Sequence, residues 1–280
     1  MSSFFRSFFP ELTRGASGAL FVVALAASTL PTAHAVGVSG QGTWETTLQA
    51  RDLDGNWGNG PEAFFDTVLN VTWLADANYA KTSKYTEDFR GGRMEWNVAK
   101  TWADNLVVGA YSDWRLPTMV DTGATGCNYR LAGGTDCGYN VQTKDASTGT
   151  VYSEMAHLYY VTFGNKGYAT PGTGALPQIG WGLSNTGPFR NVDAYAYWSG
   201  VSGVAYTLGA VAWNPPGSAA AWYFDMGQGA QDHYQKDWTM SAWAVHSGDI
   251  GAAAVPEPQT CALVLAGLAV AVVARKRRQA

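Results

Sequence analysis

The chain has 280 residues, 46% of them hydrophobic and only 14% charged, with 33 Gly, 12 Trp, 14 Tyr and a formal net charge of -4. The two ends hold six of the 18 basic and two of the 22 acidic residues, so 36–255 keeps 12 basic against 20 acidic side chains, a net of -8. That excludes a nucleic-acid binder, which needs Lys and Arg to neutralise phosphates, and the Gly and aromatic content points to short strands, many turns and rings as packing mass.

At the N-terminus, Arg6 and Arg14 precede the apolar run 18–30, and Ala33-His34-Ala35 follows. This is the layout of a removable signal peptide (1–35) with an A-x-A cleavage site at Ala33 and Ala35. The apolar run is short for a membrane span. Cleavage after Ala35 leaves Val36 as the first mature residue.

In the body, 43–49 reads as a strand and the Gly/Asn/Asp-rich 51–61 as a loop. Asp52-Leu53-Asp54-Gly55-Asn56 has a faint calcium-loop look. An EF-hand needs Gly at the sixth position and Glu at the twelfth, where this chain has Trp57 and Ala63. The β-branched stretch 67–74 predicts a strand. Met94, Val98, Trp102 and Leu106 recur every four residues and predict a helix over 94–106. Residues 109–118 leave that helix, with Pro117 fixing φ and ending any pairing.

Residues 121–150 read as a long surface loop holding Cys127 and Cys137. In an oxidising compartment these two are expected to form a disulfide across a short loop, worth roughly 3 kcal/mol in the chain-entropy model. Residues 152–162 predict a second helix with Met155, Leu158 and Tyr159 on one side. The Gly/Pro-rich 164–188 is a further loop region, and short aromatic strands follow at 194–199, 221–225 and 241–246. No internal repeat or clean linker interrupts 36–254, so a single α+β domain is expected.

Asp113-Trp114-Arg115-Leu116-Pro117-Thr118 follows the first helix. Tyr197-Trp198-Ser199, Trp222-Tyr223-Phe224 and Trp243-Ala244-Val245 come after it. This order resembles the Lcl C-terminal domain family of bacterial collagen-like adhesins over roughly 67–246. The resemblance implies a C-type-lectin-like fold: two helices and a twisted, loop-decorated antiparallel sheet. The motif residues Trp114, Arg115, Leu116, Pro117 and Thr118 have two readings. One is a core-and-corner element, with Arg115 forking onto a carboxylate or onto carbonyls. The other is a Trp/Arg platform for a sugar.

Chemistry beyond binding has little support in the residues. His157, His233 and His246 stand at no paired metal-ligand spacing, and there is no G-x-S-x-G elbow and no P-loop. Glu87 and Asp88 are adjacent and are expected to point apart, unlike a glycosidase pair. No catalytic residue, metal ligand or cofactor is assigned.

The tail 255–280 begins Val255-Pro256-Glu257-Pro258, continues through the uncharged stretch 260–274 and ends in Arg275-Lys276-Arg277-Arg278. The stretch reads as a transmembrane helix about 22 Å long, short of the ~30 Å hydrocarbon core. Its basic end is expected to stay cytoplasmic. Pro256-Glu257-Pro258, the helix and the basic cluster, in that order, resemble the PEP-CTERM sorting signal of Gram-negative bacteria. The resemblance implies a precursor held briefly in the inner membrane and processed by an exosortase. Delivery to the cell surface or the exopolysaccharide matrix would follow. With the aromatic richness, the resemblances imply a non-enzymatic surface or matrix protein that binds carbohydrate, with exopolysaccharide as partner. A structural matrix component and a secreted hydrolase acting through Glu87, Asp88 and His157 are the alternatives.

Overall fold

A hairpin near the N-terminus sets the first sheet. Strands β2 (Ala63–Asp66) and β3 (Val71–Leu74) pair antiparallel, Phe64 opposite Trp73. The turn between them is built by Asp66, whose Oδ1 accepts the backbone N–H groups of Val68 and Leu69 at 2.9 and 3.0 Å. Asn70 closes it at φ 55. A short acid that binds the backbone ahead of it competes with the strand ladder. For that reason the strand expected over 67–74 begins only at Val71. The computed structural model in which this is seen describes residues 37–86, 90–123, 127, 129, 136–203 and 219–253.

The first sheet has six strands in the order β10-β1-β2-β3-β9-β4, with every pair antiparallel. Its other strands are β1 (Leu48–Asp52), β4 (Trp114–Arg115), β9 (Val245–Ser247) and β10 (Ala252–Ala253). The last described strands therefore interleave with the first. The strand expected at 43–49 is instead a helical turn, α1 (Trp44–Thr47), running into β1. Thr43 starts that turn by accepting the N–H groups of Thr46 and Thr47 on its carbonyl.

The second sheet has four strands, β5-β8-β7-β6. They are β5 (Gly138–Tyr139), β6 (Ala196–Gly203), β7 (Ala220–Asp225) and β8 (Ala230–Gln235). Between β7 and β8 the chain turns at Gly229, φ 66, where an added Cβ would lie 2.7 Å from the Tyr159 ring; only glycine fits. The stretch before β9 joins the sheets. Ser241 exchanges backbone bonds with Ala196 and Trp198, and Met240 exchanges two with Met94.

After the single-turn helix α2 (Tyr79–Thr82), two further short helices sit against the sheets. α3 (Trp96–Asp104) buries Trp96, Ala99, Trp102 and Ala103. Trp102 of the expected stripe, and Ala99 and Ala103 beside it, lie on that buried face; Val98 is 42% exposed, and Met94, though buried, lies before the helix, paired to Met240. The helix expected at 152–162 is α4 (Glu154–His157), continued by one wide π-type turn, Leu158–Thr162. Met155, Leu158 and Tyr159 are buried there as the pattern requires. Antiparallel sheets with a few helices make this an α+β chain. No helix among the described residues is long and apolar enough to cross a membrane. The leader, the cleavage residues Ala33 and Ala35, and the tail with its expected helix at 260–274 lie outside the described residues.

Trp243 sits at the centre of the core. It is fully buried and donates its indole N–H to the Leu74 carbonyl at 2.8 Å. Its ring meets Phe189 at 4.9 Å, Trp73 at 5.2 Å and Tyr197 at 5.9 Å between centroids. Such contacts add about 0.5–1.5 kcal/mol per pair beyond simple burial.

Candidate functional site

The Trp114–Thr118 motif is structural. Trp114 is 2% exposed, packs its ring against His246 and donates its N–H to the Tyr111 carbonyl. Arg115 Nη1 and Nη2 fork onto Glu154 Oε2 and Oε1 at 2.8 and 2.7 Å, and its Nε reaches the Ser247 hydroxyl. The same Glu154 carboxylate accepts the Thr118 N–H at 2.7 Å, and the Thr118 carbonyl accepts the Glu154 N–H. The motif thus locks the chain after β4 onto the start of α4. These contacts are the ones the corner reading expects. The sugar platform falls, because the Trp114 face is covered.

Among the described residues, two groups of side chains place ligand atoms within 4.8 Å of one another, close enough to share a cation. In the first, Asp52, Asp54 and Glu62 come together. Here the loop's own N–H groups engage the carboxylates. Asp52 Oδ1 takes those of Asp54, Gly55 and Asn56, and Glu62 Oε2 takes that of Leu53. Burial, then repulsion from Asp54 and Asp52, raises the Glu62 carboxyl above its usual range. The second group is Cys127, Cys137, Asp232 and His233, but the two cysteines form a disulfide, so their sulfurs are not thiolate ligands. Asp232, pushed up by burial, is held by the Tyr129 hydroxyl and the His233 N–H.

His157 is buried, and neither ring nitrogen finds a hydrogen-bond partner among the described residues. Burial, with the charge of Lys144 second, lowers its pKa to about 4. It is a neutral core side chain that substrate cannot reach. Glu87 and Asp88 lie outside the described residues.

The open face of the second sheet carries a different arrangement. Side chains alternate along β7, so Trp222 and Phe224 point inward while Tyr223 and Asp225 share the outer face. Phe224 is almost wholly buried against Tyr159, 5.5 Å away. On the outer face, Tyr223 and Asp225 are joined by Tyr195 and Ala196 at the start of β6, by Tyr234 of β8, and by Trp238 and Met240 beyond it. Together they wall a cleft of about 220 Å³. That is below the ~300–1,000 Å³ of drug-sized sites, so it suits a unit of one or two rings.

Each wall has a local cause. The turn after β8 donates the Trp238 N–H to the Gln235 carbonyl, and Tyr234 meets the Trp238 ring edge-on at 5.6 Å. Trp238 is nevertheless 51% exposed. The Arg93 guanidinium lies 3.7 Å from the Tyr195 ring centre and fixes that wall from outside. Asp225 Oδ1 accepts the N–H groups of Gly227 and Gln228 at 2.7 and 3.2 Å, which orients the carboxylate. Burial raises its pKa and these two bonds lower it.

Composition shows that the chain is rich in aromatics but not which of them share this face. Tyr223 was visible in an aromatic strand. Tyr234 lies in the polar β8, whose assignment no periodicity supported. Tyr195 falls in the aromatic stretch expected as a strand at 194–199 but precedes the observed β6, and Trp238 stands in a turn that nothing local marks.

Comparison with known proteins finds one family, the PEP-CTERM protein-sorting motif, matching residues 254–278. The match includes Pro256, Glu257, Pro258 and Arg275, Lys276, Arg277, Arg278. It marks an exported protein sorted by an exosortase, made as a membrane-anchored precursor and directed to the surface. No curated protein and no solved structure matches the chain significantly.

Proposed function

We propose that the exported body is a non-enzymatic surface or exopolysaccharide-matrix protein that binds carbohydrate in the cleft of the second sheet. The observation that carries this reading is the wall of Tyr195, Tyr223, Tyr234 and half-exposed Trp238 around Asp225. Ring faces pack against the apolar C–H faces of sugars, and a fixed carboxylate accepts hydroxyl hydrogen bonds. Asp225 is the one acid among the described residues lining the cleft, and glycoside hydrolysis uses two. Binding without turnover is therefore the reading these residues favour. The acidic body, net -8 over 36–255, disfavours strongly sulfated glycans.

The sorting motif supports the same setting, since a surface-directed chain meets polysaccharide where it arrives. The chain order of α3, the Trp114–Thr118 corner, the Tyr197-Trp198-Ser199 strand and the closing Trp243-to-Val245 stretch supports kinship with the Lcl C-terminal family and a C-type-lectin-like fold. An experimental structure compared with lectin-like domains tests that part.

The test of binding is a glycan array together with a pull-down on the producer's own exopolysaccharide, using the native chain and Trp238→Ala. Retention of the native chain and loss of most retention by Trp238→Ala is the expected result. If neither format retains the native chain, the protein is a structural matrix component without a glycan ligand. Retention undiminished in Trp238→Ala would move the site away from this cleft.

A further inference from the structure

The make-up of the cleft says more than that a sugar fits. Three tyrosines and a tryptophan surround a single carboxylate, Asp225, and no lining residue among those described is basic. Neutral hexoses need several hydrogen-bond donors and acceptors to fix their hydroxyls. Beyond its tyrosine hydroxyls, this cleft sets one anion among the rings. Aromatic faces carry negative quadrupole potential and attract ammonium groups, Trp most strongly. The site already shows the effect at its rim, where the Arg93 cation stacks on Tyr195 at 3.7 Å.

Placed beside that ring wall, Asp225 is the complement of a positive charge. Its backbone partners, Gly227 N–H and Gln228 N–H, orient the carboxylate and oppose the upward pKa shift that burial imposes. The body around it has 20 acidic against 12 basic residues over 36–255, so the long-range field also draws cations. A uronic-acid chain would bring its own carboxylate against Asp225 and be repelled.

We infer that the cleft recognises an amino sugar with a free ammonium group, as in a partly deacetylated hexosamine polysaccharide. The ammonium sits against Asp225 and the Tyr195, Tyr223 and Tyr234 rings, while the sugar face lies on Trp238. This deepens the carbohydrate reading above and rests on it.

The experiment is calorimetric titration of the full chain, purified in mild detergent, with three tetrasaccharides: fully deacetylated glucosamine, its N-acetylated form and the neutral glucose tetramer. Choline serves as a ring-free ammonium, and Asp225→Asn, which keeps the acceptor for Gly227 and Gln228, serves as the variant. The glucosamine tetramer is expected to bind at least about tenfold more tightly than the other two, as one charge-assisted contact in a desolvated site allows. Asp225→Asn is expected to erase that preference while neutral binding survives.

Equal or tighter binding of the acetylated or neutral tetramer would overturn the inference and leave the carbohydrate reading intact. A preference that persists in Asp225→Asn would assign it to the general acidic field and overturn it too. Choline bound as tightly as the glucosamine tetramer would show that no sugar ring is read. Absence of binding by all three tetramers would sink both readings together.

Discussion

The interior around Trp243 and the cleft around Trp238 are built from the same residue types and do opposite things. Trp243 is fully buried, has its indole N–H satisfied by Leu74 and is met by three other rings. Trp96 and Trp198 follow the same rule, donating to the Ser199 and Met94 carbonyls. Trp238 meets Tyr234 and leaves half its surface to solvent. The difference teaches that aromatic abundance is no functional signal in this chain. Position relative to the sheet decides whether a ring is enclosed by the fold or left facing solvent.

The sharpest way to break the contrast is Trp243→Ala. Removing a fully buried indole leaves a cavity between Phe189, Trp73 and Tyr197 and strands the Leu74 carbonyl. The expected cost is roughly 5 kcal/mol, the upper end for such truncations, a large share of the ~5–15 kcal/mol that holds an ordinary domain together. Urea unfolding followed by tryptophan fluorescence measures it. A loss below about 2 kcal/mol would mean that this core is not tightly packed.

The Arg115–Glu154 fork belongs on the stabilising side of the comparison, although its motif invited a ligand reading. Arg115→Ala leaves the buried Glu154 carboxylate with the Thr118 N–H but without its cation. Breaking such a pair from one side costs roughly 3–4 kcal/mol, and glycan binding by the folded fraction should be unchanged. A variant with normal stability and lost binding would return the motif to the ligand side.

His157 gives the interior a pH dependence opposite in sign to that of Asp225 in the cleft, whose carboxyl is raised by burial. Its pKa falls from 6.5 when unfolded to about 4 when folded, chiefly through burial. Between these values the unfolded chain binds the proton and the folded chain does not, so stability declines as pH falls from 6.5 towards 4. The full effect is about 3 kcal/mol. The buried Asp66 carboxyl, raised by desolvation, acts with the opposite sign. The test therefore compares urea midpoints of the native chain with those of His157→Leu from pH 7 to 4. The native chain should lose more; identical slopes would remove His157 from the account.

What could be read from the sequence follows the same division. The α+β class, the second helix and the aromatic strands β6 and β7 were legible because their apolar periodicity reports burial directly. Strand β8 was not. Its Gln231 is buried and polar, satisfied by Ser153 and by the Asp136 carbonyl, partners 78 and 95 residues away. Glu154, the other half of the Arg115 fork, was equally hidden, since it lies 39 positions further along and no pattern joins the two. The cleft was the least legible of all. It is assembled from Tyr223 on β7, Tyr234 on β8, Tyr195 just before β6 and Trp238 in the turn after β8, and only the sheet register brings them together.

The smallest effect on stability is the most informative about function. Trp238→Ala removes a ring that is half in water and touches chiefly Tyr234, so its contribution to folding should lie within about 0.5 kcal/mol, as for other surface changes. Yet it takes away the broad apolar face on which a sugar would lie. Stability and binding should thus separate: an unfolding midpoint close to that of the native chain, with affinity for the best-bound tetrasaccharide reduced at least about tenfold. Trp243→Ala should do the reverse, costing stability and leaving the affinity of the folded fraction intact. If Trp238→Ala instead destabilised the protein by several kcal/mol, its exposed ring would be a structural support, and the distinction between the two aromatic regions would collapse.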